Sequence, residues 1–134
     1  MKTLRISLTL LLLWLLAGCN EIEPVEIKEG TVGFSRKNDG SVLSQTKSVA
    51  LSKQQVQFVQ SWLSANRKDW SSYYPMATYL PHWCMSLNTT NEKNLGLCRI
   101  GNRLVLRGLG KEIEHPLSER DSSAFLQNIE AAGG

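Results

Sequence analysis

Residues 77–109 read ATYLPHWCMSLNTTNEKNLGLCRIGNRLVLRGL, and this stretch decides the fold. Gly101-Asn102 is a two-residue hairpin signal between Ile100 and Arg103. It pairs position 98 with 105 and 97 with 106. A second turn lies around Thr89–Lys93. If Cys84 faces Cys98 across it, that turn centres on Asn91, a turn-forming residue, so the two constraints agree. The stretch is therefore a three-stranded antiparallel meander. Alternation then puts Tyr79, Trp83, Met85, Leu87, Leu95, Leu97, Leu104 and Leu106 on one face. His82, Cys84, Ser86, Gly96, Cys98, Arg103, Val105 and Arg107 lie on the other. One apolar and one mixed face require a cover of helices on the apolar side only.

The flanks supply that cover. Ser52 with Gln55 forms a capping-box pattern, each side chain satisfying the other's free backbone N–H. Val56, Val59 and Leu63 follow at helical spacing, with Phe58 and Trp62 beside them, so a helix runs to about Asn66. Arg67 and Lys68 at its end complement the helix dipole. A second helix starts near Ser118, with Glu119 and Asp121 in its first turn and Ala124, Phe125 and Ile129 as buried positions. Between the first helix and the meander, residues 69–75 form an aromatic loop holding Trp70, Tyr73 and Tyr74. Residues 35–47 are polar, with Asn38-Asp39-Gly40-Ser41 as a loop or hairpin turn. The fold class is α+β: the meander, with room for an added N-terminal strand across Val25 to Phe34, packed on one face by two helices.

The N-terminus concerns location. Lys2 and Arg5 precede a leucine-rich apolar run from Ile6 to Leu16, shorter than the roughly 20 residues of a membrane span. Leu16-Ala17-Gly18-Cys19 closes that run and resembles the lipobox of bacterial lipoproteins. The resemblance covers residues 1–19. It implies cleavage after Gly18, a thioether-linked diacylglycerol on Cys19 and acylation of the new N-terminus. Three acyl chains exceed what stable anchoring needs. Asn20 is not the aspartate that retains such lipoproteins in the inner membrane, so the resemblance favours the outer membrane, facing the periplasm. The expected organisation is a signal at 1–18, a lipidated N-terminus and acidic tether at 19–30, and one small domain at 31–134. Glu21, Glu23, Glu26 and Glu29 against Lys28 give the tether its acidity, and Pro24 disfavours a helix there.

Of the three cysteines, Cys19 is taken by lipid. Cys84 and Cys98 remain as the only pair, in a compartment that oxidises thiols, and a structural disulfide between them is expected. The spacing is not that of a C-x-x-C redox site, and neither a metal nor another cofactor is expected. No G-x-S-x-G, H-E-x-x-H, P-loop or G-x-G-x-x-G motif occurs. His82 reads as a surface ring. His115, beside Glu112 and Glu114, falls in a loop of solvated acids.

Charge narrows the partner. Taking Lys2 and Arg5 from 15 basic residues leaves 13 against 12 acids, far from the basic field of a nucleic-acid binder. Arg99, Arg103 and Arg107 nevertheless lie in a run from Lys93 to Lys111 without an acid. Arg103 and Arg107 share the mixed face with His82 as a candidate patch for an acidic protein. Arg99 falls on the apolar side opposite Trp83, where it could stack on the ring. The second candidate surface is the aromatic loop at Trp70, Tyr73 and Tyr74. The sequence thus points to a non-catalytic, lipid-tethered protein-binding domain of the envelope, immunity- or inhibitor-like. A pilotin-like component of a secretion machine and a small envelope hydrolase are the alternatives.

Overall fold

The computed structural model describes residues 21–37, 43–45, 48–74 and 80–131. The lipobox and Tyr79 lie outside the described residues. The chain is α+β. Among the described residues, eight strands join one antiparallel sheet: β1 (Ile27–Lys37), β2 (Leu43–Gln45), β3 (Val49–Ala50), β4 (Ser71–Ser72), β5 (Trp83–Thr89), β6 (Asn94–Ile100), β7 (Arg103–Arg107) and β8 (Ile113–Pro116). Their order is β2-β1-β5-β6-β7-β8-β4, and β3 also pairs with β1. Helix α1 (Lys53–Ala65) precedes β4, and α2 (Glu119–Phe125) follows β8 and continues as one wider π-type turn over Leu126–Glu130.

The three central strands follow each other in the register expected from the turn signals. Cys84 is opposite Cys98, Cys98 opposite Val105 and Leu97 opposite Leu106. The sheet extends well beyond them. β1 adds to β5 with Gly33 opposite Cys84, and β8 adds to β7 with Glu114 opposite Val105. Residues 113–116, read as loop, are thus a strand, and the aromatic loop contributes the short edge strand β4.

The helix caps form as their sequences dictate. Gln55 N–H donates to Ser52 Oγ at 3.1 Å, and Ser52 N–H donates to Gln55 Oε1 at 2.8 Å. Asp121 N–H donates to Ser118 Oγ at 3.1 Å. α1 ends at Ala65, just before the basic pair, because Asn66 caps it with both its backbone and side-chain N–H on Trp62 O. The core lies between helices and sheet: Val59, Trp62 and Leu63 of α1, Phe125 and Ile129, and Trp83, Met85, Leu87, Leu95, Leu97, Leu104 and Leu106 are all buried. Ala124 is only half-buried. Phe125 is the centre, stacked on Trp83 and edge-on to Phe58 and Trp62.

The acidic tether needs correction. Ile22 and Ile27 are buried, and the segment between them is strapped to the domain. Ile22 N–H donates to Arg67 O at 2.8 Å, and Arg67 Nε donates to Ile22 O at 3.1 Å. Ile27 N–H donates to Gln60 Oε1, whose Nε2 donates to Val25 O. β1 itself begins at Ile27, inside the stretch read as linker. The acids are the outward positions of a packed segment whose isoleucines fill the core edge.

Candidate functional site

A surface hollow sits where β4, the Gly101-Asn102 hairpin and β8 meet. It is a groove of about 460 Å³ lined by Tyr73, Tyr74, Ile100, Asn102, Arg103 and Glu114 among others. Each wall has a local cause. Gly101 takes φ 59°, which lets the hairpin turn in two residues. Ile100 and Arg103 close that hairpin as a facing pair on the outer side of the sheet. Tyr73 N–H donates to Glu112 O at 3.1 Å, extending the β4–β8 pairing and fixing where the tyrosines leave the edge. Tyr74 then stands 81% exposed.

Arg103 forms an ion pair with Glu114 across the β7–β8 ladder. The Arg103 side chain is 60% exposed and that of Glu114 only 15%, so the guanidinium faces the groove while the carboxylate holds it from below. Arg107 pairs with Glu112 in the same way, Nε to Oε1 at 3.2 Å. The acid-free run therefore does not make an unpaired basic patch. Its acids arrive from β8 and the residue before it: Glu114 and Glu112 alternate onto the outer face, diagonal to Arg103 and next to Arg107.

The six sequence candidates separate. Tyr73, Tyr74 and Arg103 come together in the groove. Arg107 lies four residues further along β7, about 13 Å away by strand rise. His82 is on the other side of the hairpin, in a shallow hollow with Phe34, Ser35, Trp83, Arg99 and Glu130. Trp70 is no surface residue at all: it is 4% exposed, donates Nε1–H to Asn66 O at 2.7 Å, and packs edge-on against Trp62. His115 joins that cluster, with ring centroids 5.3 Å from Trp62 and 5.1 Å from Trp70. It is buried in β8 on the inner face, while Glu112 and Glu114 point outward, so alternation splits the acid–histidine cluster. Among the described residues no three His, Cys, Asp or Glu side chains gather as metal ligands.

Two further expectations change. Arg99 does lie opposite Trp83, but the partner both reach for is Glu130. Its Oε1 accepts from Arg99 Nη1 at 2.6 Å and from Trp83 Nε1 at 3.0 Å. The mixed face is also less open than its polarity implied, because Cys98 and Val105 are buried there. Cys84 and Cys98 are joined by a disulfide between β5 and β6. Ile100, Asn102 and Glu114 were missed as groove residues. Alternation already puts Ile100 on the same face as Arg103; only the course of β4 brings the tyrosines beside it.

No protein-family model, no curated protein and no solved structure matches this chain. Among the described residues no helix is long and apolar enough to cross a membrane.

Proposed function

We propose that the chain is a lipid-anchored envelope protein whose domain captures a protein partner through the Tyr73–Tyr74 groove, as an immunity- or inhibitor-type binder does. One observation carries the binding part: Tyr74 stands 81% exposed beside Ile100 and the ion-paired Arg103 in a hollow of about 460 Å³. Tyrosine and arginine beside an apolar floor are the residue types that concentrate binding energy at interfaces, and tyrosine buries much area for few rotors. The Glu114 pairing pre-orients the guanidinium, so little side-chain entropy remains to be lost on docking. The anchor rests on the lipobox-like Leu16–Cys19, and the disulfide suits an oxidising envelope.

The test is photo-crosslinking in intact cells, with benzoylphenylalanine at position 74 and, as control, at exposed Glu119. The expected result is one discrete adduct from position 74 that disappears with Ile100→Asp or Arg103→Glu. Equal adducts from both positions, or none from position 74, would sink the groove as a binding site. Cys19→Ser should stop processing and lipid attachment. Continued cleavage after Gly18 in that variant, with no fatty acid on the wild type, would sink the anchor.

A further inference from the structure

The chain is held at Ile22, three peptide steps after Cys19. Ile22 is 5% exposed, its backbone exchanges hydrogen bonds with Arg67, and Glu21 lies 3.6 Å from the same guanidinium. Three residues of extended chain reach at most about 11 Å. The polar layer on each side of a bilayer is itself about 5–7 Å thick. A diacylglycerol on Cys19 sits at the inner boundary of that layer, so the point of attachment leaves the domain no more than about 4–6 Å of clearance above the headgroups.

The strapped segment crosses one end of the sheet. Thr90 N–H donates to Glu26 O at 3.0 Å, which ties the segment to the β5–β6 turn. Beside it, a groove of about 360 Å³ runs to the β7–β8 loop, where Gly108 and Gly110 both have positive φ. Two acids, Glu21 and Glu23, and two bases, Lys93 and Lys111, line it together with Leu109. Balanced charge of both signs matches a headgroup that carries a phosphate and an ammonium; a purely basic patch would select anionic lipid instead.

We infer that this end of the domain is a lipid-docking surface: it rests on the zwitterionic headgroups of the membrane that holds the anchor, and the opposite end points away. The inference rests on lipidation of Cys19 as proposed above. β5 spans seven residues between the two ends, about 20 Å by strand rise. The Gly101-Asn102 hairpin, with the Ile100 and Arg103 wall of the Tyr74 groove, therefore stands clear of the bilayer.

The experiment uses the full-length lipidated protein in vesicles of phosphatidylethanolamine with a minor share of phosphatidylglycerol. Mass spectrometry first reads the lipid on Cys19; its absence sinks the anchor and with it the premise. Nitroxide labels are then placed singly at Lys93→Cys, Lys111→Cys and Asn102→Cys, and broadening by a nickel-chelating lipid is recorded. The expected result is several-fold stronger broadening at 93 and 111 than at 102. Equal broadening at all three positions on lipidated protein overturns the inference while leaving the anchor standing. Ten Gly-Ser residues inserted between Asn20 and Glu21 should weaken the contrast without abolishing it; complete loss would leave tether length alone as the cause and overturn the groove as a docking surface. A contrast that appears only as phosphatidylglycerol is raised overturns the zwitterionic assignment.

Discussion

Glu130→Ala should destabilise the domain by more than its surface position suggests. One carboxylate oxygen accepts from both Arg99 Nη1 and Trp83 Nε1, at 2.6 and 3.0 Å. The side chains of Arg99 and Glu130 are only 15% and 18% exposed, so solvent replaces those bonds poorly. Removing an acceptor from a charged donor costs about 1.5–3 kcal/mol, and the indole N–H loses its bond to the same carboxylate, at least about 1 kcal/mol more. The expected loss is about 3 kcal/mol, a large share of the 5–15 kcal/mol typical of a domain. The origin of this cost sets the control. Most of it is the penalty of leaving Arg99 unpaired, so Arg99→Met combined with Glu130→Leu should recover much of the loss. Urea unfolding of the wild type, Glu130→Ala, Glu130→Leu, Arg99→Met and the Arg99→Met/Glu130→Leu double variant measures the loss and closes the cycle. A Glu130→Ala loss below about 0.5 kcal/mol, the level of an exposed pair, would refute the shared-acceptor reasoning.

Replacing Cys84 and Cys98 together by alanine removes a bond across a sequence separation of 14, which the chain-entropy model values at about 3 kcal/mol. A differential scan should show the loss, and an unchanged melting temperature would mean the hairpin is held without the bond. Leu97→Ala, at a fully buried central position, should cost about 2–5 kcal/mol by denaturant titration, with little change in the slope of the transition. Gly108→Ala should be costly for two reasons: φ is 108°, and the added Cβ would lie 2.6 Å from Asn94 O. Its unfolding midpoint should fall well below that of Gly110→Ala, which shares the positive φ but meets no neighbour within 4 Å.

Much of the centre was legible because its determinants are local. A two-residue turn sets strand parity for everything within a few residues of it, so Gly101-Asn102 determines that Leu97 meets Leu106 and that Cys98 meets Val105. Cys84 meets Cys98 across the separate Thr89–Lys93 turn, centred on Asn91. The Ser52–Gln55 box and the Ser118 cap are settled within four residues of chain, as are the helices they start. Strands without so compact a turn follow no such rule. The five residues between β7 and β8 leave their register open, and that register brings Glu114 to Arg103 and the preceding Glu112 to Arg107. Trp70 has the composition of a surface loop residue; it is buried because α1 and β8 leave a slot between Trp62 and His115. The acidic run at residues 21–29 has the charge of a linker, and only packing shows that Ile22 and Ile27 point the other way. Short-range hydrogen bonding and alternation thus determined the meander, the caps and the disulfide from the sequence. The groove, the Arg99–Glu130 pair and the strapped N-terminus were decided by tertiary structure, because each depends on burying surface against a segment tens of residues away.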